Sequence, residues 1–137
     1  MEVTNAVHPL DEQITTFFET ASDGPFVMVN LLNFKERADY ADDPSLELTG
    51  REAYEIYGAA VTALIEAKGG RLVFGGDVTG LIVGDVEEMW DLVALVEYPS
   101  ARAFTEIMLS PEYAEIERHR IAGLAGQLNI RIEPRSL

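Results

Sequence analysis

Cysteine is absent from the 137 residues. That excludes disulfides, thiol nucleophiles, thiolate-bound zinc and iron–sulfur clusters together. Basic residues are scarce: 10 Lys and Arg stand against 24 Asp and Glu, giving a formal net charge of -14. A field of that sign repels phosphate backbones and anionic bilayers, so neither nucleic acid nor a membrane is expected as a partner. No apolar run is long enough to span a bilayer, and the opening MEVTNAVHPLDEQ lacks the basic-then-apolar order of a secretory leader. A cytoplasmic protein is expected. Serine-triad, phosphate-loop and dinucleotide fingerprints are also missing.

What is present fits a soluble globular chain, with 47% hydrophobic and 25% charged residues. The length predicts one domain over residues 1–137, with 1–25 as an N-terminal helical extension and 26–133 as the core. A first helix is expected from His8-Pro9, with Leu10, Ile14, Phe17 and Phe18 as its apolar stripe. The strand 26–34 (FVMVNLLNF) is apolar on both faces. It should therefore be central and covered on both sides, whereas one layer of helices covers only one. A second subunit would supply the other cover, so a homodimer is expected, with Val27, Val29, Leu31, Val93 and Leu95 at its interface.

Residues 35–48 read as an acidic loop, with 38–45 mobile or acting as a flap. Its carboxylates Asp39, Asp42, Asp43 and Glu47 match no calcium-loop spacing, so no metal is expected and calcium should leave the melting temperature unchanged. Thr49 and Glu52 form a capping box, and the helix they open ends at Gly69-Gly70. A second strand is expected over 71–84, bulged at Gly75-Gly76, and a third over 90–98, again apolar on both faces. Ser100 caps a further helix, Ser110-Pro111 restarts it, and 128–133 alternates as an edge strand. The order is a helix and then β-α-β-β-α-β. It predicts an α+β, ferredoxin-like fold with an extra N-terminal helix.

The strand FVMVNLLNF, the segment TGREAYEIYGAAV, the doubled glycine after Lys68 and WDLVALVEYPSARAF with SPEY behind it carry a resemblance. They resemble an uncharacterised domain-of-unknown-function family of the dimeric α/β-barrel superfamily, over about Phe26 to Ile132. The resemblance implies two ferredoxin-like sheets paired face to face. It implies no activity, because the family has none assigned, and wider relatives range from cofactor-free monooxygenases and haem-degrading oxygenases to muconolactone isomerases and stress-response dimers.

Asn30 lies mid-strand among apolar residues and must hydrogen-bond, to the core or to a ligand. Trp90 can fill core or wall a pocket, and Tyr54, Tyr57 and Tyr98 can offer phenol groups. His119 pairs with Glu115 one turn away in the plain reading, and is a general base in the sharper one. Asn30, Tyr57, Trp90 and His119 are expected to share one cavity. Asn, Trp and His recur in the haem-degrading relatives, but there the histidine follows the tryptophan more closely than His119 follows Trp90. The function expected is binding of, or simple chemistry on, a small organic molecule without a cofactor. The alternatives are a non-catalytic dimeric module and a cofactor-independent monooxygenase-like enzyme.

Overall fold

The computed structural model describes residues 1–137. Helix α1 spans Asp11–Thr20, and the Leu10 N–H donates to Gln13 Oε1 at 2.9 Å to close its first turn. It starts two residues after Pro9. Of the expected stripe only Phe17 packs inward, against Phe26 and Phe104, while Leu10, Ile14 and Phe18 are exposed. The helix touches the body along one line, through Phe17 and through the Arg131 guanidinium, which donates to the Phe17 carbonyl and to Thr20 Oγ1.

Strand β1 (Phe26–Phe34) leads to helix α2 (Gly50–Ala67). Its capping box is complete: Thr49 Oγ1 accepts from the Glu52 N–H, and Glu52 Oε1 accepts from the Thr49 N–H. Gly69 ends the helix with φ +88, where a side chain would be strained. Strand β2 is shorter than expected, Arg71–Asp77, and its register breaks between Leu72 and Phe74 rather than at the glycine pair. A last rung, from the Val78 N–H to the Asp91 carbonyl, closes the ladder, so residues 79–90 leave the sheet. Ile82 and Val83 are 99% and 86% exposed there.

Strand β3 is Leu92–Tyr98 and starts two residues later than its apolar run. Asp91 is the reason. Its N–H donates to the Leu32 carbonyl and its carboxylate accepts from the Phe34 N–H, which caps the end of β1. Ser100 and Ser110 cap helices α3 (Ala101–Met108) and α4 (Pro111–Gly123), and α4 runs directly into β4 (Leu124–Ile132). The N-terminal lead pairs with this edge strand, Ala6 exchanging two backbone hydrogen bonds with Gln127. The expected edge strand is therefore longer and partly covered.

The sheet runs β2-β3-β1-β4 with every neighbour antiparallel. That is the ferredoxin-like arrangement the element order predicts. Phe26, Met28, Val96 and Tyr98 point to the helices and meet Tyr57, Val61, Ile65, Ile107 and Tyr113. Val27, Val29, Leu31, Val93, Leu95, Ile130 and Ile132 alternate to the opposite face, which no helix covers.

The acidic loop is not a flap. Tyr40 is 2% exposed and packs with Ala53 and Ala122, while backbone bonds tie Ala38 to Leu48 and Asp39 to Ala122. One buried aromatic anchors what composition alone describes as a solvated segment.

Where this loop meets the body, α2 and α4 cross at van der Waals distance. A Cβ on Gly50 would overlap the Lys35 backbone, and one on Gly123 would overlap the Gly50 carbonyl. Gly123→Ala should therefore push the helices apart and cost about 1–3 kcal/mol, as overpacking does. Gly58 lies mid-helix in α2, and a Cβ there would meet nothing within 4 Å. Gly58→Ala should stabilise by roughly 0.5–1 kcal/mol through helix propensity. Urea unfolding followed by circular dichroism checks both signs.

Candidate functional site

Along one flank of α2 the side chains are small or short: Gly58, Ala59 and Thr62 recur at i, i+1 and i+4. Opposite them the sheet offers Gly75 from β2 and Ala94 from β3. Small residues on both walls leave a cavity of about 440 Å³, open at the β2 edge and walled by Val61, Ile65, Leu72, Leu92 and Val96. Only four of its lining side chains are polar: Asn30, Tyr54, Glu55 and Thr62. The volume lies within the range of ligand pockets, roughly 300–1,000 Å³.

Asn30 is held from three sides. Its Nδ2 donates to the Ala94 carbonyl at 3.2 Å and more weakly to the Met28 carbonyl at 3.4 Å, and its Oδ1 accepts from Gln127 Nε2 at 3.5 Å. Gln127 Oε1 in turn accepts from Arg120 Nη2, which also donates to the Val7 carbonyl at 2.7 Å. A polar chain thus runs from the N-terminal lead through α4 and β4 to the cavity floor. Arg120 and Gln127 are absent from the residues expected from sequence. Nothing local marks them, because their pairing depends on α4 lying over the end of β4.

Four tyrosines fill the layer beside this chain. Tyr57 and Tyr113 share a hydrogen bond at 3.2 Å, Tyr54 packs on Tyr57 and Phe34, and Tyr98 stacks on Phe26. Burial raises all four phenols, with Tyr54 pushed up to about 12, while Arg120 works against that shift at Tyr54. All therefore remain O–H donors at neutral pH. Tyr57 and Tyr98 belong to the core, and of the phenols expected to line a pocket Tyr54 alone lines this one.

The four residues expected to share one cavity do not. Asn30 lines it, and Tyr57 is turned toward Tyr113. Trp90 lies outside β3, where its indole N–H donates to Asn5 Oδ1 at 2.7 Å and pins the N-terminal lead. His119 faces the acidic loop. Its Nδ1 is 2.7 Å from the Tyr40 hydroxyl, and its Nε2 is 3.4 Å from Arg118 Nη1. Arg118 also grips Asp42 with two bonds, at 2.7 and 3.2 Å, and lies over the Tyr40 ring. The expected Glu115 partner is replaced by Tyr40, because burying that ring brings its hydroxyl onto α4.

A family model described as a domain of unknown function, DUF1330, matches residues 44–131. The chain belongs to this family. The crystal structure of RPA0582, a protein of unknown function from Rhodopseudomonas palustris, is 35% identical with a TM-score of 0.87, covering 98% of this chain and 100% of that one. Two more distant structures share the fold alone. SnoaB, a cofactor-independent oxygenase from Streptomyces nogalater, is 10% identical with a TM-score of 0.54, over 83% of this chain and 96% of its own. A dimeric ferredoxin-like protein of unknown function from Thermobifida fusca is 12% identical with a TM-score of 0.50, over 81% and 92%. No protein with a curated description matches the sequence.

In this DUF1330 chain the matched segment carries Tyr54 and the α2, β2 and β3 walls of the cavity, while Asn30 precedes it. No helix is long and apolar enough to cross a membrane. The His119 latch adds a pH dependence. Burial first, and then the Arg118 charge, lower the His119 pKa from its ordinary 6.5. A histidine depressed in the folded state leaves the unfolded chain to bind the proton first, so its contribution is intact above the ordinary value and is lost as pH falls below it. Thermal unfolding should show a lower midpoint at pH 5.5 than at pH 7.5, and His119→Gln should flatten that difference.

Proposed function

We propose that the protein is a homodimer, each subunit of which binds a small organic molecule in the cavity between α2 and the β2–β3 side of the sheet. The observation that carries this reading is the cavity itself: apolar walls, small residues on both sides, and a few polar groups gathered at Asn30 and Tyr54. Sites for small molecules combine those features. Simple cofactor-free chemistry is compatible with the lining. His119 would take no part in it, being engaged with Tyr40 away from the cavity. A cytoplasmic location and a single domain over 1–137, with 1–25 as an extension, belong to the same proposal.

The dimer reading is supported by the uncovered sheet face and by the dimeric description of the Thermobifida fusca neighbour. On that face Phe74, Ile130 and Ile132 are 62%, 45% and 48% exposed. A patch of this kind marks an association surface, and self-pairing of two equal faces gives a closed twofold interface. The oligomer tests it: light scattering should give twice the chain mass at micromolar concentration, and Val29→Arg should yield monomers. A stable wild-type monomer would contradict it. Binding is tested separately by calorimetry with two-ring aromatic probes, whose heat of binding should be blocked by Ala94→Phe and unaffected by His119→Ala.

A further inference from the structure

Each wholly buried side-chain nitrogen or oxygen in the protein has a hydrogen-bond partner. Among the polar side chains of the cavity, Thr62 Oγ1 donates to the Gly58 carbonyl and the Asn30 amide is held by backbone and Gln127, while Glu55 is exposed to solvent. Among those not exposed to solvent, the Tyr54 hydroxyl alone has no partner within the protein, although its ring is wedged between Phe34 and Tyr57. It must therefore keep access to open space, and the cavity is the space that Tyr54 lines. A donor left without an acceptor in such a setting is costly unless a ligand or water supplies one.

We propose that Tyr54 is the polar anchor of the cavity, donating its hydroxyl hydrogen to the carbonyl oxygen of a neutral, mainly apolar ketone or quinone of about two rings. This rests on the cavity reading above and names the class of ligand that the site takes. The phenol stays protonated at neutral pH, since burial pushes it up to about 12, and so it acts as a donor. Arg120, tied to Gln127, contributes positive potential on the same side, which favours an electron-rich oxygen there. Val61, Ile65, Leu92 and Val96 make most of the remaining wall apolar, and Asn30 and Thr62 already spend their donors on backbone carbonyls. A net charge of -14 disfavours entry of an anion, and the Arg120 charge near Tyr54 disfavours a cation there, so an uncharged ligand fits best.

The test compares 2-acetonaphthone with 2-ethylnaphthalene, which has the same ring system without the carbonyl. Binding to the full chain is followed by nuclear magnetic resonance titration for the wild type, Tyr54→Phe and Ala94→Phe, each first shown to be folded by circular dichroism. The wild type should prefer the ketone by about fivefold, the worth of one neutral hydrogen bond. Tyr54→Phe should erase that preference and leave the hydrocarbon affinity unchanged, while Ala94→Phe should weaken both probes. If Tyr54→Phe retains the preference and Ala94→Phe still weakens both, the anchor is wrong and the cavity reading stands. If the wild type binds neither probe, or Ala94→Phe changes nothing, both fall.

Discussion

The interior of this protein depends on the close crossing of α2 over α4 at Gly50 and Gly123. Because neither residue has a side chain, the two backbones touch, and Ala53 and Ala122 are fully buried beside them. That contact fixes the height of α2 above the sheet at one end. One and two turns further along, Tyr54 and Tyr57 are carried into the layer between helix and sheet, and α4 brings Tyr113 and Arg120 toward them. Beyond Tyr54 on the same stripe, α2 has only Gly58, Ala59 and Thr62 to lower onto Gly75 and Ala94. The helix cannot descend to close that gap while the glycine crossing holds it. The cavity is thus a consequence of where the small residues lie.

The same layer shows how an acidic protein can hold a polar interior. The cation nearest the phenols, Arg120, spends its donors on a backbone carbonyl and on Gln127 rather than on a carboxylate. It therefore keeps an uncompensated field where the tyrosines lie. The other arginine of that helix stretch, Arg118, is paired outward with Asp42 and stacks on Tyr40. Two arginines two positions apart on α4 thus serve different layers. One secures the acidic loop, and the other polarises the core.

Much of the fold was legible from the chain. Two-sided apolar strands at 26–34 and in the 90s identify the central pair, and Thr49, Ser100 and Ser110 mark helix starts that the structure confirms by hydrogen bonds. What escaped was set by tertiary contact. Asp91 delays the start of its strand because it caps β1, and Tyr40 turns a loop of acidic residues into docked structure. Large polar and aromatic residues are what a sequence offers as site markers, and of the expected ones only Asn30 and Tyr54 lie on the cavity. Its clearest signal was an absence of bulk, the run Gly58-Ala59 with Thr62 facing Gly75 and Ala94. Hydrophobic periodicity does not register such a pattern. Trp90 and His119 belong to rare residue types in this chain, and each fastens a peripheral segment.

The most direct measurement is a crystal structure of the protein grown with 2-acetonaphthone. Two subunits should pack sheet to sheet, with the rings between α2 and Ala94 and the carbonyl oxygen within hydrogen-bonding distance, about 2.7 Å, of the Tyr54 hydroxyl. A cavity closed by its own side chains, or a probe bound elsewhere while the cavity stays empty, would contradict the proposed site.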